Sequence, residues 1–364
     1  MPDEPSPAQL KNWFDEARYR TIARELAQIT PKFDAKTFLK LVLDGLEQRT
    51  LMQRLHQCAI ATDEALPGSF QQKVRVLQKL APKIDHEFVT IFLGDFVATF
   101  GRDEFDFSME ALRFFTVFGS AEFAVRPFIV VDQKRALKVI ERWARDADEK
   151  VRRLASEGSR PRLPWGLRLQ ALVRDPRPTA VIIEALKDDE SLFVRRSVAN
   201  HLNDITKDHP QFVLQQLEGW DLSREHLRWI AKHACRTLIK RGHPRALKLF
   251  GFGKRAEVSA SLVTSPKQLR LGEKLALQAK ITSTSRQTQR LVVDYVVHYV
   301  KAGGGTAEKV FKWTEVDLPA KASLDLTKTQ VIRDFATRKH HAGRHRVELQ
   351  INGQRVAGSA FVLK

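Results

Sequence analysis

The chain has 364 residues, 61 of them Lys or Arg against 43 Asp or Glu, for a formal charge of +18. A hydrophobic content of 43% supplies enough core for two domains and excludes wholesale disorder. So large a positive surplus favours phosphate-rich partners. With no lysine-rich amphipathic anchor and no apolar stretch of about 20 residues, it does not point to a membrane.

The N-terminal Met1-Pro2-Asp3-Glu4-Pro5 lacks a basic segment followed by an apolar core, so a cytoplasmic protein is expected. From about Pro7 to Phe252 apolar residues recur every three to four positions, as in Phe38, Leu39, Leu43 and Leu46, or Phe88, Ile91, Phe92, Phe96 and Phe100. Breaks at Thr30-Pro31, Pro67-Gly68, Gly101, Gly119 and Pro161–Pro164 cut the pattern into short helices. The two cysteines, Cys58 and Cys235, fall inside helical patterns and read as small core residues.

One phrase then occurs twice. Asp148-Glu149-Lys150-Val151-Arg152-Arg153-Leu154-Ala155-Ser156-Glu157-Gly158 is followed by Asp189-Glu190-Ser191-Leu192-Phe193-Val194-Arg195-Arg196-Ser197-Val198-Ala199-Asn200, with the Val-Arg-Arg steps 43 positions apart. Turns at Asp175-Pro176, His209-Pro210 and His243-Pro244 echo one another some 32 to 34 residues apart. Such periods predict stacked helical pairs, a helical-repeat superhelix. Arginines recurring at matched places would line one face with positive charge and suit a polyanion.

At Val258 the grammar changes to alternation, in Leu275–Ile281, Leu291–Val300 and Arg346–Ile351, with turn signals at Ser265-Pro266, Gly303-Gly304-Gly305, Ala342-Gly343 and Asn352-Gly353. About seven short strands of this kind predict a small sandwich of immunoglobulin type. The expected organisation is a helical-repeat domain over 1–252, a linker over 253–257 and a sandwich over 258–364. The sandwich carries 18 basic and 8 acidic residues, making it the denser positive body. Its outstanding loop is Arg338-Lys339-His340-His341-Ala342-Gly343-Arg344-His345-Arg346, whose basic side chains around a glycine suit entry into a narrow minor groove. A metal site on His341 and His345 would lack a third ligand nearby, so none is expected.

The string Val151-Arg152-Arg153-Leu154-Ala155-Ser156-Glu157-Gly158-Ser159-Arg160-Pro161-Arg162-Leu163-Pro164-Trp165, followed by Phe193–Asp204, resembles the HEAT-repeat DNA alkylation-repair glycosylases. It looks closest to the AlkC branch, whose members sometimes carry a C-terminal immunoglobulin-like domain. The resemblance spans roughly Phe33 to Phe252, and the appended sandwich agrees with it. It implies a monofunctional glycosylase, working without a cofactor and as a monomer, on cationic N3-methylated bases, 3-methyladenine and 3-methylcytosine, in double-stranded DNA. It also implies that bent duplex is held against a concave surface without drawing the base into a deep pocket.

By that resemblance the catalytic carboxylates fall on Glu122, Glu157 and Asp204. The chemistry suits them, because a departing base leaves positive charge on the sugar that carboxylates stabilise while one orients water. Glu122 is expected to begin a helix, whereas Glu157 and Asp204 end the two copies. An acid at a helix C-terminus opposes the dipole, so Glu157 among arginines reads as functional. Trp165, Phe123 and Trp229 are the aromatic residues expected against the sugar or base.

Phosphates would be held by Arg152, Arg153, Arg160, Arg162, Arg195, Arg196, Lys232 and Arg236, with Arg338, Lys339, Arg344 and Arg346 from the sandwich. Adjacent helical residues point about 100° apart, so one member of each Arg-Arg pair is expected to face the groove. The rival reading is a non-catalytic helical-repeat scaffold that binds nucleic acid. Acids inside a positive groove count against it.

Overall fold

The three- and four-residue periodicity becomes a run of short helices, many opened by a side chain that accepts from the first turn. Thr50 and Ser69 form reciprocal capping boxes with Gln53 and Gln72, and Asp15, Asp34, Asp132 and Asp148 cap other helices. The computed structural model describes residues 10–253, 255–335 and 339–364. Among them sixteen α-helices form a repeat-like superhelix, followed from Val258 by an all-β sandwich. No described helix is long and apolar enough to cross a membrane. Cys58 and Cys235 are both buried and unpaired, as core residues.

The chain divides into two compact units, residues 1–209 with 222–231, and residues 210–221 with 232–364. In the first unit the doubled phrase builds two helices, Glu149–Gly158 and Leu192–Ile205, packed against each other. Asp146 and Asp189, 43 positions apart, make the same turn: each carboxylate accepts the backbone N–H two residues on, at 3.0 and 2.9 Å. Arg152 then reaches back to the carbonyls of Asp146 and Ala147, and Arg195 to those of Asp189 and Glu190. A second tie runs between repeats, Arg113 to Asp146 and Arg152 to Asp189. Asp146 and Asp189 thus keep the 43-residue spacing of the Val-Arg-Arg steps; Asp148, which opens the first copy in the sequence, stands two residues past the position that matches Asp189.

In the second unit the sandwich has a three-stranded sheet, β1 (Val258–Ser265), β3 (Lys274–Ser283) and β6 (Ser323–Val331), in the order β1-β3-β6. Its five-stranded sheet comprises β2 (Gln268–Leu269), β4 (Gln289–Val300), β5 (Thr306–Leu318), β7 (Gly343–Ile351) and β8 (Gln354–Leu363), in the order β2-β8-β7-β4-β5. The eighth strand is β2, two residues pairing parallel with β8 and too short to leave an alternating pattern. Asn352 and Gly353, at φ of 47° and 80°, make the β7–β8 hairpin turn.

The helices of the second unit join the sandwich at that hairpin. A Cβ on Gly353 would stand 2.1 Å from Gly242 Cα, so the two glycines meet backbone to backbone. Gln350 donates to the Lys240 carbonyl at 2.9 Å and to Asp294 at 3.2 Å, and Lys232 pairs with Glu315 at 2.5 Å.

Burial pushes the Asp294 carboxyl up to about 6, against only partial relief from Gln350. Its folded-state value lies above the unfolded one, so the folded chain holds the proton more tightly. Ionising Asp294 therefore costs stability that appears as pH rises from about 4 to 6. We expect Asp294→Asn to be the more stable chain at pH 7.5, by roughly 1 to 3 kcal/mol. In urea melts that advantage should vanish near pH 4; an equal gain at both pH values would place its origin outside the titration.

Candidate active site

The site begins with a glycine that nothing larger could replace. A Cβ on Gly119 would lie 2.1 Å from Thr90 Oγ1 and 2.6 Å from the Glu87 carbonyl. That close approach seats the Gly119–Glu122 turn against residues 87–90 and brings Ser120 and Glu122 to the Glu149–Gly158 helix. Glu122 lies in the turn, four residues ahead of the Arg126–Val131 helix, and not in the first helical turn as its position after a break suggested.

From Glu122 a line of alternating charge runs inward. Glu122 Oε2 accepts from Ser120 Oγ at 2.8 Å and from the Arg153 guanidinium, which also donates to Ser120 Oγ at 3.0 Å. Arg153 stands 3.6 Å from Glu157, with its guanidinium 5.0 Å from the centre of the Phe193 ring. Glu157 Oε1 accepts from Arg160 Nη1 at 2.5 Å, and its Oε2 from Ser197 Oγ at 2.6 Å. Arg160 Nε donates to Asp204 Oδ2 at 2.9 Å, and Lys207 Nζ to Asp204 Oδ1 at 2.8 Å. The order is Glu122, Arg153, Glu157, Arg160, Asp204, with the last three buried.

Electrostatics follow the geometry. Burial works to lower the Arg160 guanidinium, but Glu157 and Asp204 outweigh it and hold the pKa above its ordinary value. Behind them Arg126 is fully buried; its Nη1 donates to the Gly158 carbonyl at 2.9 Å and its Nε to that of Leu167 at 2.5 Å. Burial first, then the charge of Arg160, brings Arg126 down to about 10, so it stays protonated at neutral pH. Its two carbonyl bonds fasten the Pro161–Leu169 loop to the helix end.

That loop carries Trp165, which is 72% exposed and adopts φ of 63°. A left-handed conformation at a bulky residue is strained, and an indole left in water has no packing to compensate. It therefore does not plug the loop. Trp165, Phe123 and Phe193 line an open cavity of about 480 Å³ together with Glu122, Arg153 and Glu157. Carboxylates and aromatic rings lining one cavity suit a positively charged guest. Asp204 is not among the lining residues.

The expected phosphate ligands among the described residues separate into four groups. Arg152 and Arg195 bond the carbonyls of their own turns and Arg152 also bonds Asp189, so these two serve the repeat. Arg160 is enclosed by two carboxylates, and both it and Arg153 line the cavity; neither is placed as a phosphate ligand. Arg162 is held by both oxygens of Asp208 at 2.7 Å each, Lys232 by Glu315, and Arg346 by Glu348, while Arg236 donates to the His233 carbonyl. Arg196, Lys339 and Arg344 are exposed. Arg338 lies outside the described residues. Trp229 is half-exposed and is not among the residues lining the cavity.

Sequence reasoning missed Ser120, Ser197, Phe193, Lys207 and Arg126. Only Phe193 left a signal, as an aromatic residue beside Leu192 in the first turn of a helix, where both stay exposed.

Because the Trp165 indole is exposed while its backbone is strained, we expect Trp165→Gly to lose little stability. It should exceed Trp165→Ala by about 1 kcal/mol in urea unfolding, since alanine keeps the left-handed penalty. A glycine variant far less stable than the parent would mean that the indole packs after all.

Two family models match the chain: "DNA alkylation repair enzyme" over residues 112–238, and "Uncharacterised protein YhaZ, C-terminal Ig-like domain" over residues 258–364. "Uncharacterized protein YhaZ" of Bacillus subtilis (strain 168) is 37% identical over 349 residues, 95% of this chain and 97% of that protein. Among solved structures, the Pseudomonas fluorescens alkylpurine DNA glycosylase AlkC, bound to DNA containing an abasic site analog, is 46% identical. It superposes with a TM-score of 0.95 over 99% of this chain and 100% of the other.

Proposed function

This chain belongs to the AlkC branch of the HEAT-repeat DNA alkylation-repair glycosylases, with a C-terminal immunoglobulin-like domain, and we propose that it hydrolyses the N-glycosidic bond of cationic N3-methylated bases in duplex DNA. The substrates proposed are 3-methyladenine and 3-methylcytosine. The observation that carries the reading is the cavity, which Glu122 and Glu157 line together with Trp165, Phe123 and Phe193. An alkylated base is already positive, which weakens its bond to the sugar, and aromatic faces attract such a cation. As the bond lengthens, positive charge passes to the sugar, where fixed carboxylates stabilise it with little reorganisation.

The two lining acids differ in what holds them. Glu157 has each oxygen bonded, to Arg160 and to Ser197, and is pre-oriented as an electrostatic partner of the sugar. Glu122 has its bonds on Oε2, leaving Oε1 to accept from a water, which it would orient or deprotonate. The open cavity agrees with a base attacked without deep extrusion. Backbone phosphates would be met by exposed cations such as Arg196, Lys339 and Arg344, with the basic sandwich as part of the grip. We propose a monomer that needs no cofactor.

The assay is direct. Duplex carrying 3-methyladenine or 3-methylcytosine is incubated with the chain, and free base and alkali-labile sites are scored. We expect release of both bases, and a loss of at least about 100-fold in excision by Glu157→Gln with binding to undamaged duplex little changed. Tight binding with no release above background would leave a nucleic-acid scaffold as the reading.

A further inference from the structure

Asp204 has the composition of a catalytic acid and the placement of something else. Its side chain is 4% exposed, both oxygens are bonded by cations, and it does not line the cavity. Its route to the cavity is through Arg160, whose planar guanidinium gives Nε to Asp204 and Nη1 to Glu157. A guanidinium is rigid, so fixing one edge fixes the direction of the other. We propose that Asp204 and Arg160 are a positioning pair, in which Asp204 anchors and electrically balances Arg160 so that Arg160 orients Glu157 without quenching its charge.

The balance can be followed along the chain. Arg160 stands between two carboxylates and shares its charge with both. Remove the negative charge of Asp204 and the whole guanidinium charge falls on Glu157, weakening the field that Glu157 presents to the sugar. Remove Arg160 and two buried carboxylates face each other with less compensation, leaving Glu157 to Arg153 and Ser197. The neighbouring charged groups are Arg153, Glu122, Arg126 and Lys207. His201, fully buried on the facing helix, is held down at about 3 by burial and then by Arg160, so it stays neutral through the range an assay would cover.

The inference rests on the proposed glycosylase reading, and wild-type excision of 3-methyladenine tests that reading separately. If the wild-type chain releases base, Asp204→Asn is the decisive variant. It keeps the shape and an acceptor for Arg160 and removes the charge; the acceptor it takes from Lys207 can be replaced by water, because that side chain is partly exposed. We expect single-turnover excision to fall about tenfold, a size typical of losing a supporting contact, with affinity for duplex containing an abasic-site mimic unchanged. The acid limb of its rate profile should move to lower pH, because removing a nearby negative charge favours ionisation of the carboxylate that remains. Arg160→Gln should move the same limb to higher pH, the opposite direction. Should that buried replacement fail to fold, Asp204→Asn alone decides.

Loss of rate with an unmoved acid limb would overturn the proposal and make Asp204 act on the reacting atoms itself. Equal losses in thermal stability, binding and rate would make it structural. An unchanged rate would also overturn it.

Discussion

Everything at the site depends on placing charges out of water next to one another in alternating order. A buried guanidinium or carboxylate alone carries a desolvation cost of several kcal/mol, repaid only by good geometry. Here Arg160 receives one carboxylate on each side, and Glu157 receives a guanidinium and a hydroxyl. The arrangement has no slack: each group is compensated by a neighbour on another helix or loop, so the helices must hold their register for the charges to stay buried. The repeat register is therefore part of the electrostatics as well as of the packing.

That register is set by a second, plainer set of ion pairs. The first arginine of each Val-Arg-Arg step folds back on the carbonyls at its own helix entrance, and Arg152 also holds the aspartate that starts the next copy. The second arginine, one position on and about 100° around the helix, is left for the other face. There the copies diverge: Arg153 meets Glu122 and Glu157, while Arg196 stays in solvent. One residue type, repeated, thus builds the frame at the first position and does different work in each copy at the second.

How much of this could be read from the sequence follows from the range of the interactions. Local grammar was legible: the helix-to-strand change at Val258 and the Asn352-Gly353 hairpin are settled by residues close in sequence. The repeat period was legible too, although its true register rests on Asp146, whose turn is a backbone contact that similarity of wording does not reveal. The fates of the arginines were not. Arg160 looks like a phosphate ligand beside Arg162 and Pro161, yet its fate is decided by Asp204, 44 residues away. Ser197 leaves no signal because its partner, Glu157, is on another helix 40 residues away.

Trp165 is constrained from the other side of the same charge network. Proteins hold bulky residues in left-handed backbone only where the surroundings over-determine them, and here the surroundings are visible. Gly166, against Leu163 and Phe123, and Arg126, bonded to the Leu167 carbonyl, pin the loop on both sides of the indole. Arg126 is itself buried behind the carboxylates, with Glu122, Glu157 and Asp204 all acting to keep it charged. The exposed aromatic and the buried acids are thus joined through one cation. The loop that presents the tryptophan is fastened by a cation whose charge those acids help to sustain.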